Sequence, residues 1–365
     1  MRILHIHPSM AGGGIESMIC SLANEMSKTE DVTVCSIFAP IQSDIFWYKL
    51  NPTITKNSLG KKQSGFSLRI LWEIVIFIKR GNFDVVNLHG MFYYYMLAVF
   101  FLHDRVKFFY TVHSDAEKEN TLWDRRLLNI KKRCFVKGWI HPITISDASS
   151  ASFENLYNTP STIIFNGVPR PRITDHNVVS EYKISDKTKV FIHAGRISEP
   201  KNQVILCKVF QRLIDDGHDV VLLIAGSKQS DEIFRKIETY FSRRIVYLGQ
   251  RDDIPQLMAH SHAMCLPSIW EGLPVTLLEA LSVGCVPICS NVGGIPNVIE
   301  SGKNGFLSRS SSEEDYYETM RDFLNLPQED LDSIQEACKI SFTKYDILNT
   351  SRAYLNTYET EKKSS

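Results

Sequence analysis

Ala263-Met-Cys-Leu266-Pro-Ser-Ile-Trp-Glu271-Gly-Leu-Pro274-Val-Thr-Leu-Leu-Glu279-Ala280 passes from a short apolar strand, through a polar loop, into a helix. Ala263–Leu266 is an unbroken apolar run of strand length. Pro274 suits a first helical turn, where its missing amide has no partner to lose. Glu279 sits among Leu277, Leu278, Ala280 and Leu281, a setting in which an unpaired charge is expensive. With Glu271 before the helix and Glu279 two turns inside it, both carboxylates can face one cleft. Carboxylates accept hydrogen bonds from sugar and ribose hydroxyls. Each also has an ordinary structural explanation, Glu271 as a complement to the helix dipole and Glu279 as a salt-bridged core edge.

The same strand–loop–helix unit recurs on both sides. Upstream, Val190–Gly195 leads to Gln203–Ile214, Val220–Ala225 to Asp231–Phe241, and Ile245–Leu248 to Ile254–His260. Downstream, Val286–Cys289 leads to a short helix near Pro296–Glu300, and Phe306–Leu307 is a last short strand. The front of the chain has its own set. Strands read at Arg2–His7, Val32–Phe38, Asp84–His89, Lys107–His113, Ile143–Ser146 and Thr162–Phe165. Helices read at Ile15–Met26, Leu68–Arg80 and Asp124–Val136. Alternation of this kind makes parallel βαβ units. The Pro-rich stretch Val168–Asn177 reads as a linker. The expected fold is therefore α/β, with two Rossmann-like doubly wound domains facing a central cleft. Residues 1–170 form the first domain and 171–345 the second, while 346–365, a helix and tail, pack back towards the first. Ligands of such sheets bind beyond the carboxyl ends of the strands, so the cleft is the expected site.

Composition narrows the function. The 365 residues carry 41 Lys/Arg and 41 Asp/Glu, a balance unlike that of a general nucleic-acid binder. Residues 1–170 hold 19 basic against 14 acidic side chains and the rest 22 against 27, which fits either a basic front half that faces an anionic membrane surface or a random split of surface charge. The eight cysteines form no CxxC pair and sit mostly in apolar runs. That pattern fits small buried hydrophobes in a reducing compartment. Met1–Pro8 reads as a strand and not a signal peptide. The longest apolar run, Met91–Leu102, falls short of the roughly 17–25 residues of a membrane span and reads as a buried helix, with a surface that dips into lipid as the other option. The expected localisation is cytoplasmic, with peripheral attachment to the inner face of the membrane open.

Other residues suggest chemistry more weakly. Gly12-Gly13-Gly14 lies between a strand and a helix, where glycines admit a ligand close to the backbone and the helix start favours anions. It is not a GxGxxG fingerprint, so a nicotinamide cofactor is unsupported. Gly195-Arg196 follows a strand, and Lys201 lies nearby. A guanidinium fork and a point charge can converge there on a diphosphate, although loop cations are usually only solvated. His5 and His7 share a strand face and His260 and His262 have the same spacing, but each pair lacks the sulfur or carboxylate company a metal needs. Asp252-Asp253 reads as a helix cap. The basic helix Asp124–Val136 reads as a solvated face, with lipid docking as the other option, and Phe92–Tyr95 as core or pocket wall.

Taken together these markers resemble the retaining glycosyltransferases of GT-B type, family four (glycosyl transferases group 1). Glu271 and Glu279 match the family's E-x7-E motif, Gly195, Arg196 and Lys201 its glycine–arginine and lysine, and Gly12–Gly14 its front loop. Thr111-Val112-His113, Asn166-Gly167-Val168 and Gly293, Gly294 and Ile299 match three further segments in order along the chain. The resemblance implies donor binding by Gly13, Gly14, Arg196, Lys201, Glu271, Gly272, Leu273 and Glu279, with His113, Glu271, Arg196 and Lys201 at the reacting centre. Glu279 would hold the ribose, Glu271 would face the transferred sugar, and Arg196 and Lys201 would neutralise the diphosphate. It implies no metal and no cofactor, since the nucleotide sugar is a substrate. It also implies a saccharide acceptor, with a polyprenyl-diphosphate-linked one and the inner-membrane surface as expected partners. One departure stands in this region: Asn202 follows Lys201 where the family usually has Gly, which loosens the turn. Two other readings remain, a nucleotide-sugar epimerase or hydrolase on the same plan and a binding subunit without catalysis.

Overall fold

The computed structural model describes residues 1–11, 13–42, 44–62 and 65–361. Gly12 of the glycine loop and the tail Lys362–Ser365 lie outside the described residues. The chain divides into two compact units, one of Met1–Pro169 with Ile347–Ser365 and one of Arg170–Asp346.

The first unit runs β1 (Arg2–His7), α1 (Gly14–Met26), β2 (Asp31–Phe38), α2 (Ile45–Lys49), β3 (Thr55–Lys61), α3 (Leu68–Gly81), β4 (Val85–His89), α4 (Met96–Leu102) and β5 (Lys107–Val112). It continues through α5 (Ala116–Glu119), α6 (Leu122–Arg126), α7 (Leu128–Val136), β6 (His141–Thr144), α8 (Asp147–Tyr157) and β7 (Thr162–Ile163). Its seven strands are parallel in the order β3-β2-β1-β4-β5-β6-β7. The strand order reverses between β1 and β4, so the carboxyl ends of those strands, His7 and His89, flank the crevice that such a reversal opens.

The second unit runs β8 (Lys189–Ala194), α9 (Gln203–Asp215), β9 (Val220–Ala225), α10 (Asp231–Glu238), β10 (Ile245–Gly249), α11 (Ile254–Ala259), β11 (Ala263–Leu266), α12 (Val275–Val283), β12 (Val286–Ser290), β13 (Phe306–Ser308), α13 (Glu313–Leu324) and α14 (Gln328–Phe342). The order β10-β9-β8-β11-β12-β13, all parallel, reverses between β8 and β11. Val220–Ala225 is buried at all six positions, as a parallel strand covered on both faces must be.

The last helix, α15 (Ile347–Thr360), belongs to the first unit. Tyr358 Oη accepts from Asn87 Nδ2 at 2.8 Å, and its carbonyl accepts from Lys107 Nζ at 2.6 Å. The Tyr354 hydroxyl lies 3.4 Å from Thr111 Oγ1. These polar contacts tie α15 to β4 and β5 at buried positions where an unpaired group would cost stability.

Several expectations change. The helix expected over Asp124–Val136 is two helices that meet at Leu127, which adopts φ −100 and ψ 11. Thr121 and Asp124 form a capping box, so the first helix starts before Asp124. Asp124 also accepts from the Tyr93 amide and is buried. Lys131, expected on a solvated face, is buried as well. Its ammonium donates to Asn120 Oδ1 at 2.9 Å and lies 4.3 Å from the Tyr110 ring centroid. Met91–Leu102 is a single 3-10 turn (Phe92–Tyr94) followed by α4. Phe92–Tyr95 are buried, whereas Phe100 and Phe101 are exposed. Asp253 occupies the N-cap position of α11 but makes no side-chain cap, because its carboxylate pairs with Arg251 at 2.6 Å. Pro274 lies one position before the first turn of α12.

Candidate active site

In the second unit the strand reversal brings together the loops that follow β8 and β11. After β8 come Gly195, the exposed Arg196 and a 3-10 turn, Glu199–Lys201. After β11 comes the loop carrying Glu271. The two loops meet through an ion pair, with Lys201 Nζ 2.5 Å from Glu271 Oε1. The same oxygen accepts from Ser268 Oγ at 2.7 Å, and Ser268 is fully buried. Both partners of the pair are largely shielded, so removing either strands a charge with little solvent to answer it. The guanidinium of Arg196 has no hydrogen-bond or ionic partner among the described residues.

Backbone and buried side chains fix this arrangement. Asn202, where the family usually has Gly, adopts φ 57 and ψ 35. Asn is among the non-glycine residues that enter the left-handed region most readily. Its Nδ2 donates to the carbonyls of Pro267 and Ser311 at 3.1 and 3.0 Å. The substitution therefore keeps the turn and binds it to the Glu271 loop, which corrects the expectation of a loosened turn. Gln203, fully buried, donates to the Arg196 carbonyl at 2.8 Å and lies 3.1 Å from His193 Nε2. His193 Nδ1 lies 2.9 Å from the Cys265 carbonyl, which assigns the proton to that nitrogen. Burial lowers the His193 pKa to about 4, so the ring stays neutral. From the β12 side, the Gly294 amide donates to the Gly272 carbonyl at 2.8 Å. Gly293 adopts φ 55, and a Cβ there would lie 1.8 Å from the Glu271 carbonyl oxygen.

Glu279 lies within α12, half-buried, with Leu273 buried in the loop before it. Gly272, held by its bond from Gly294, and Leu273 lie at the entry to the helix. Ser268, Gln203 and His193 were not singled out from the sequence, and Asn202 was noted there only as a departure from the family pattern. A signal existed for Asn202, since an Asn standing where Gly is usual marks a left-handed turn.

In the first unit, His113 stands one residue beyond β5. Its amide donates to Glu119 Oε2 at 3.1 Å, and its Nε2 lies 2.9 Å from His89 Nδ1. His89 Nε2 in turn lies 3.2 Å from His5 Nδ1, so three buried imidazoles form a chain across β1, β4 and β5. His7 is turned aside, its Nδ1 2.5 Å from the Ser9 carbonyl. Only His113 of this chain was a candidate from the sequence. Its partners come from strands that adjoin only in the sheet. Gly13 caps α1 with φ −164, extended backbone open to any residue, and Gly14 is the first helical residue. Neither needs a glycine for its backbone angle. A Cβ on Gly13 would meet only the flexible Glu16 carboxylate. Among the described residues no group of three or more His, Cys, Asp or Glu could hold a metal ion.

The histidine chain makes acid stability a testable property. Burial lowers the His5 pKa to about 4 and the His113 pKa to about 3, from 6.5. Burial also lowers His7 and sends His89 well below its ordinary value. Below pH 6.5 the unfolded chain then binds protons that the folded chain does not, so stability falls as pH drops towards 4. Glu119 works in the opposite sense, since burial raises its pKa to about 7. Its folded form holds the extra proton between its ordinary 4.5 and 7. Four lowered histidines outweigh one raised carboxyl. Denaturant titrations at descending pH are expected to show the midpoint falling between pH 6.5 and 4, and a constant midpoint over that range would contradict the histidine assignment.

Two family models match in tandem: Glycosyltransferase Family 4 over residues 12–171 and Glycosyl transferases group 1 over residues 176–339. The chain belongs to the GT-B glycosyltransferases. Over 128 residues it is 30% identical to N-acetyl-alpha-D-glucosaminyl L-malate synthase of Bacillus anthracis, covering 35% of this chain and 34% of that protein. Over 123 residues it is 31% identical to UDP-Gal:alpha-D-GlcNAc-diphosphoundecaprenol alpha-1,3-galactosyltransferase of Escherichia coli, covering 32% of each. The matched stretch thus spans about a third of each of these two relatives. The solved structure of Anabaena Alr3699/HepE in complex with UDP and glucose covers 99% of this glycosyltransferase chain and 100% of its own, with a TM-score of 0.82 and 18% identity. That likeness shows the GT-B fold, two parallel-sheet α/β units.

Proposed function

We propose that this chain is a retaining transferase that moves a hexose or N-acetylhexosamine from a uridine diphosphate sugar to a lipid-linked saccharide acceptor. The pathway would be assembly of a surface polysaccharide such as O-antigen or capsule. The observation that carries the reading is the cluster of Arg196, Lys201 and Glu271 on the loops after β8 and β11. An unpaired guanidinium and a lysine already drawn towards a carboxylate suit a ligand with both a diphosphate and a hydroxylated ring.

The chemistry follows from these groups. The bond from the anomeric carbon to the phosphate oxygen breaks, and its electron pair leaves on the nucleoside diphosphate. Arg196 and Lys201 stabilise that charge electrostatically, with no metal in the mechanism. The acceptor hydroxyl bonds to the anomeric carbon on the face the diphosphate leaves, through an oxocarbenium-like transition state, and its proton passes to the departing phosphate oxygen. Glu271 orients the sugar, Glu279 accepts from the ribose hydroxyls, and the amides of Gly272 and Leu273 lie at the helix start, where anions are favoured. His113 with its neutral imidazole partners, and Gly13 and Gly14, serve the acceptor side. The uridine base and the lipid-linked acceptor draw support from the Escherichia coli relative, a UDP-Gal:alpha-D-GlcNAc-diphosphoundecaprenol alpha-1,3-galactosyltransferase. Among the described residues no helix is long and apolar enough to cross a membrane. A lipid-linked acceptor places the enzyme, on this reading, at the cytoplasmic membrane surface as a peripheral protein.

A calorimetric screen of UDP-hexoses, UDP-N-acetylhexosamines and GDP-mannose tests donor binding. One donor is expected to bind selectively. Glu279→Ala is expected to weaken it about 10–100-fold, the value of hydrogen bonds to a charged group. Unchanged affinity in Glu279→Ala would overturn the ribose assignment, and no binding of any nucleotide sugar would overturn the donor class.

A further inference from the structure

α3 is apolar on both sides. Ile70, Leu71, Ile74, Val75 and Ile78 are buried in the core, while Leu68, Trp72 and Ile76, four residues apart, are exposed on the other side. A surface helix ordinarily turns polar residues outward. Trp72, 49% exposed, stacks on Phe101, 47% exposed, at 5.5 Å between ring centroids. Phe101 meets Phe100 edge-on at 5.1 Å, and Phe100 meets Trp139 at 6.2 Å. Rings from α3, α4 and the turn after α7 thus form one continuous patch. Contiguous exposed apolar patches mark interaction surfaces.

Cations lie alongside it. Residues 125–146 contain Arg125, Arg126, Lys131, Lys132, Arg133 and Lys137 and no Asp or Glu, and all of these but Lys131 reach solvent. Lys137 Nζ lies 4.8 Å from the Trp139 ring centroid, so the apolar patch and the basic stretch touch. α3 ends in Lys79 and Arg80, and its one acidic side chain, Glu73, is paired with Arg69 at 2.6 Å. Asp104 is the acidic residue on the α4 side.

Exposed aromatic rings beside a one-sign basic surface match a bilayer carrying anionic headgroups. A second copy of this chain fits less well, because a two-fold contact through this face would set its own cations opposite each other. We propose that this face seats the first unit on an anionic lipid bilayer. The Trp72–Phe101–Phe100 patch enters the headgroup region, and the cations of residues 125–137 meet lipid phosphates. The purpose of this contact, reaching a lipid-linked acceptor, rests on the functional reading above. The exposed rings and the neighbouring cations stand independently of that reading.

Co-sedimentation of the full chain with vesicles tests the proposal. Vesicles of phosphatidylglycerol with phosphatidylethanolamine are expected to bind the chain and vesicles of phosphatidylcholine alone to leave it in solution. Binding should weaken as salt rises. Trp72→Ser with Phe101→Ser is expected to weaken binding about tenfold or more, as loss of two buried rings implies, and Arg125→Glu with Arg126→Glu to weaken it as well. The Trp72/Phe101 variant should keep wild-type UDP-sugar affinity and wild-type transfer to a water-soluble saccharide. If transfer to that saccharide fails in the wild type, the functional reading falls and the lipid result stands separately. The proposal is overturned by three results: no binding of the wild type to anionic vesicles, equal binding by the ring variant, or a dimer in sedimentation equilibrium that the ring variant abolishes.

Discussion

Lys201→Ala is expected to lower kcat about 10²–10³-fold, the loss typical of removing one group that stabilises transition-state charge. The donor KM is expected to change far less. Before a donor arrives, the Lys201 ammonium is 2.5 Å from Glu271. As the diphosphate departs, its leaving oxygen gains negative charge beyond what the donor carries in the ground state, and a cation already held in place stabilises that added charge. The variant also strands the Glu271 carboxylate, which keeps only its bond from Ser268, and that stranded charge could itself slow the enzyme. A second variant separates the two causes. Glu271→Gln combined with Lys201→Ala removes the stranded charge, so a purely structural loss would be restored, whereas leaving-group stabilisation predicts a double variant as slow as Lys201→Ala or slower. Steady-state kinetics at saturating donor reads the difference. Unchanged turnover in Lys201→Ala, or recovery in the double variant, would contradict the assignment.

Gly293→Ala is expected to damage donor binding without touching a donor-binding side chain. Its φ of 55 lies where a side chain costs about 1–2 kcal/mol. Beyond that, the new Cβ would lie 1.8 Å from the Glu271 carbonyl oxygen and 2.9 Å from its carbonyl carbon. These are backbone atoms, so no rotamer change relieves the clash and the Glu271 loop must move. A displaced loop breaks the register of the Lys201 pair and the Gly294–Gly272 bond together. Donor affinity is expected to fall about tenfold or more, for a misplacement worth at least about 1.4 kcal/mol. The melting temperature should fall by roughly 2–4 °C per kcal/mol lost. Gly302→Ala supplies the control. Its φ is 82 and nothing lies within 4 Å of its Cβ, so it should lower the melting temperature and leave donor affinity alone. Wild-type affinity in Gly293→Ala, measured by titration calorimetry with UDP, would show that this close approach does not shape the site.

The elements most legible in the sequence are those whose burial is uniform. Val220–Ala225 and Ala263–Leu266 are apolar at every position because both sheet faces are covered. The edge strand Thr55–Lys61 passed unread because it is polar and largely open to solvent, so neither alternation nor an apolar run marks it. α8, rich in Ser, and the charged α13 and α14 escaped for a related reason. Their helical order comes from caps at Ser146 and Ser312 and from packing by Tyr316, Met320, Phe323 and Ile334, not from local propensity. The split at Leu127 was hidden because no side-chain cap marks it, and the residues on both sides keep a helical pattern.

In the candidate site, residue types were legible and their partnerships were not. Glu271 and Lys201 each stood out, but the pair between them joins positions 70 apart and depends on which strands adjoin. The buried shell of Gln203, His193 and Ser268 leaves no local signature, since each residue matters only through the carbonyl or carboxylate it meets. The His5–His89–His113 chain is likewise a product of strand order, which sets β1, β4 and β5 side by side. The exposed stripe Leu68–Trp72–Ile76 reads in the sequence as part of an apolar helix, and only the fold shows that it faces away from the core.

The central claim is transfer of a sugar from a nucleotide diphosphate donor to an acceptor. UDP release by the purified chain, followed for a panel of UDP-sugars with and without a diphosphate-lipid-linked saccharide, tests it most directly. The account predicts UDP release with one donor that depends on the acceptor and yields a saccharide lengthened by one residue with its anomeric configuration retained. UDP release that is indifferent to the acceptor would point to a hydrolase, and no release from any donor would contradict catalysis by this chain.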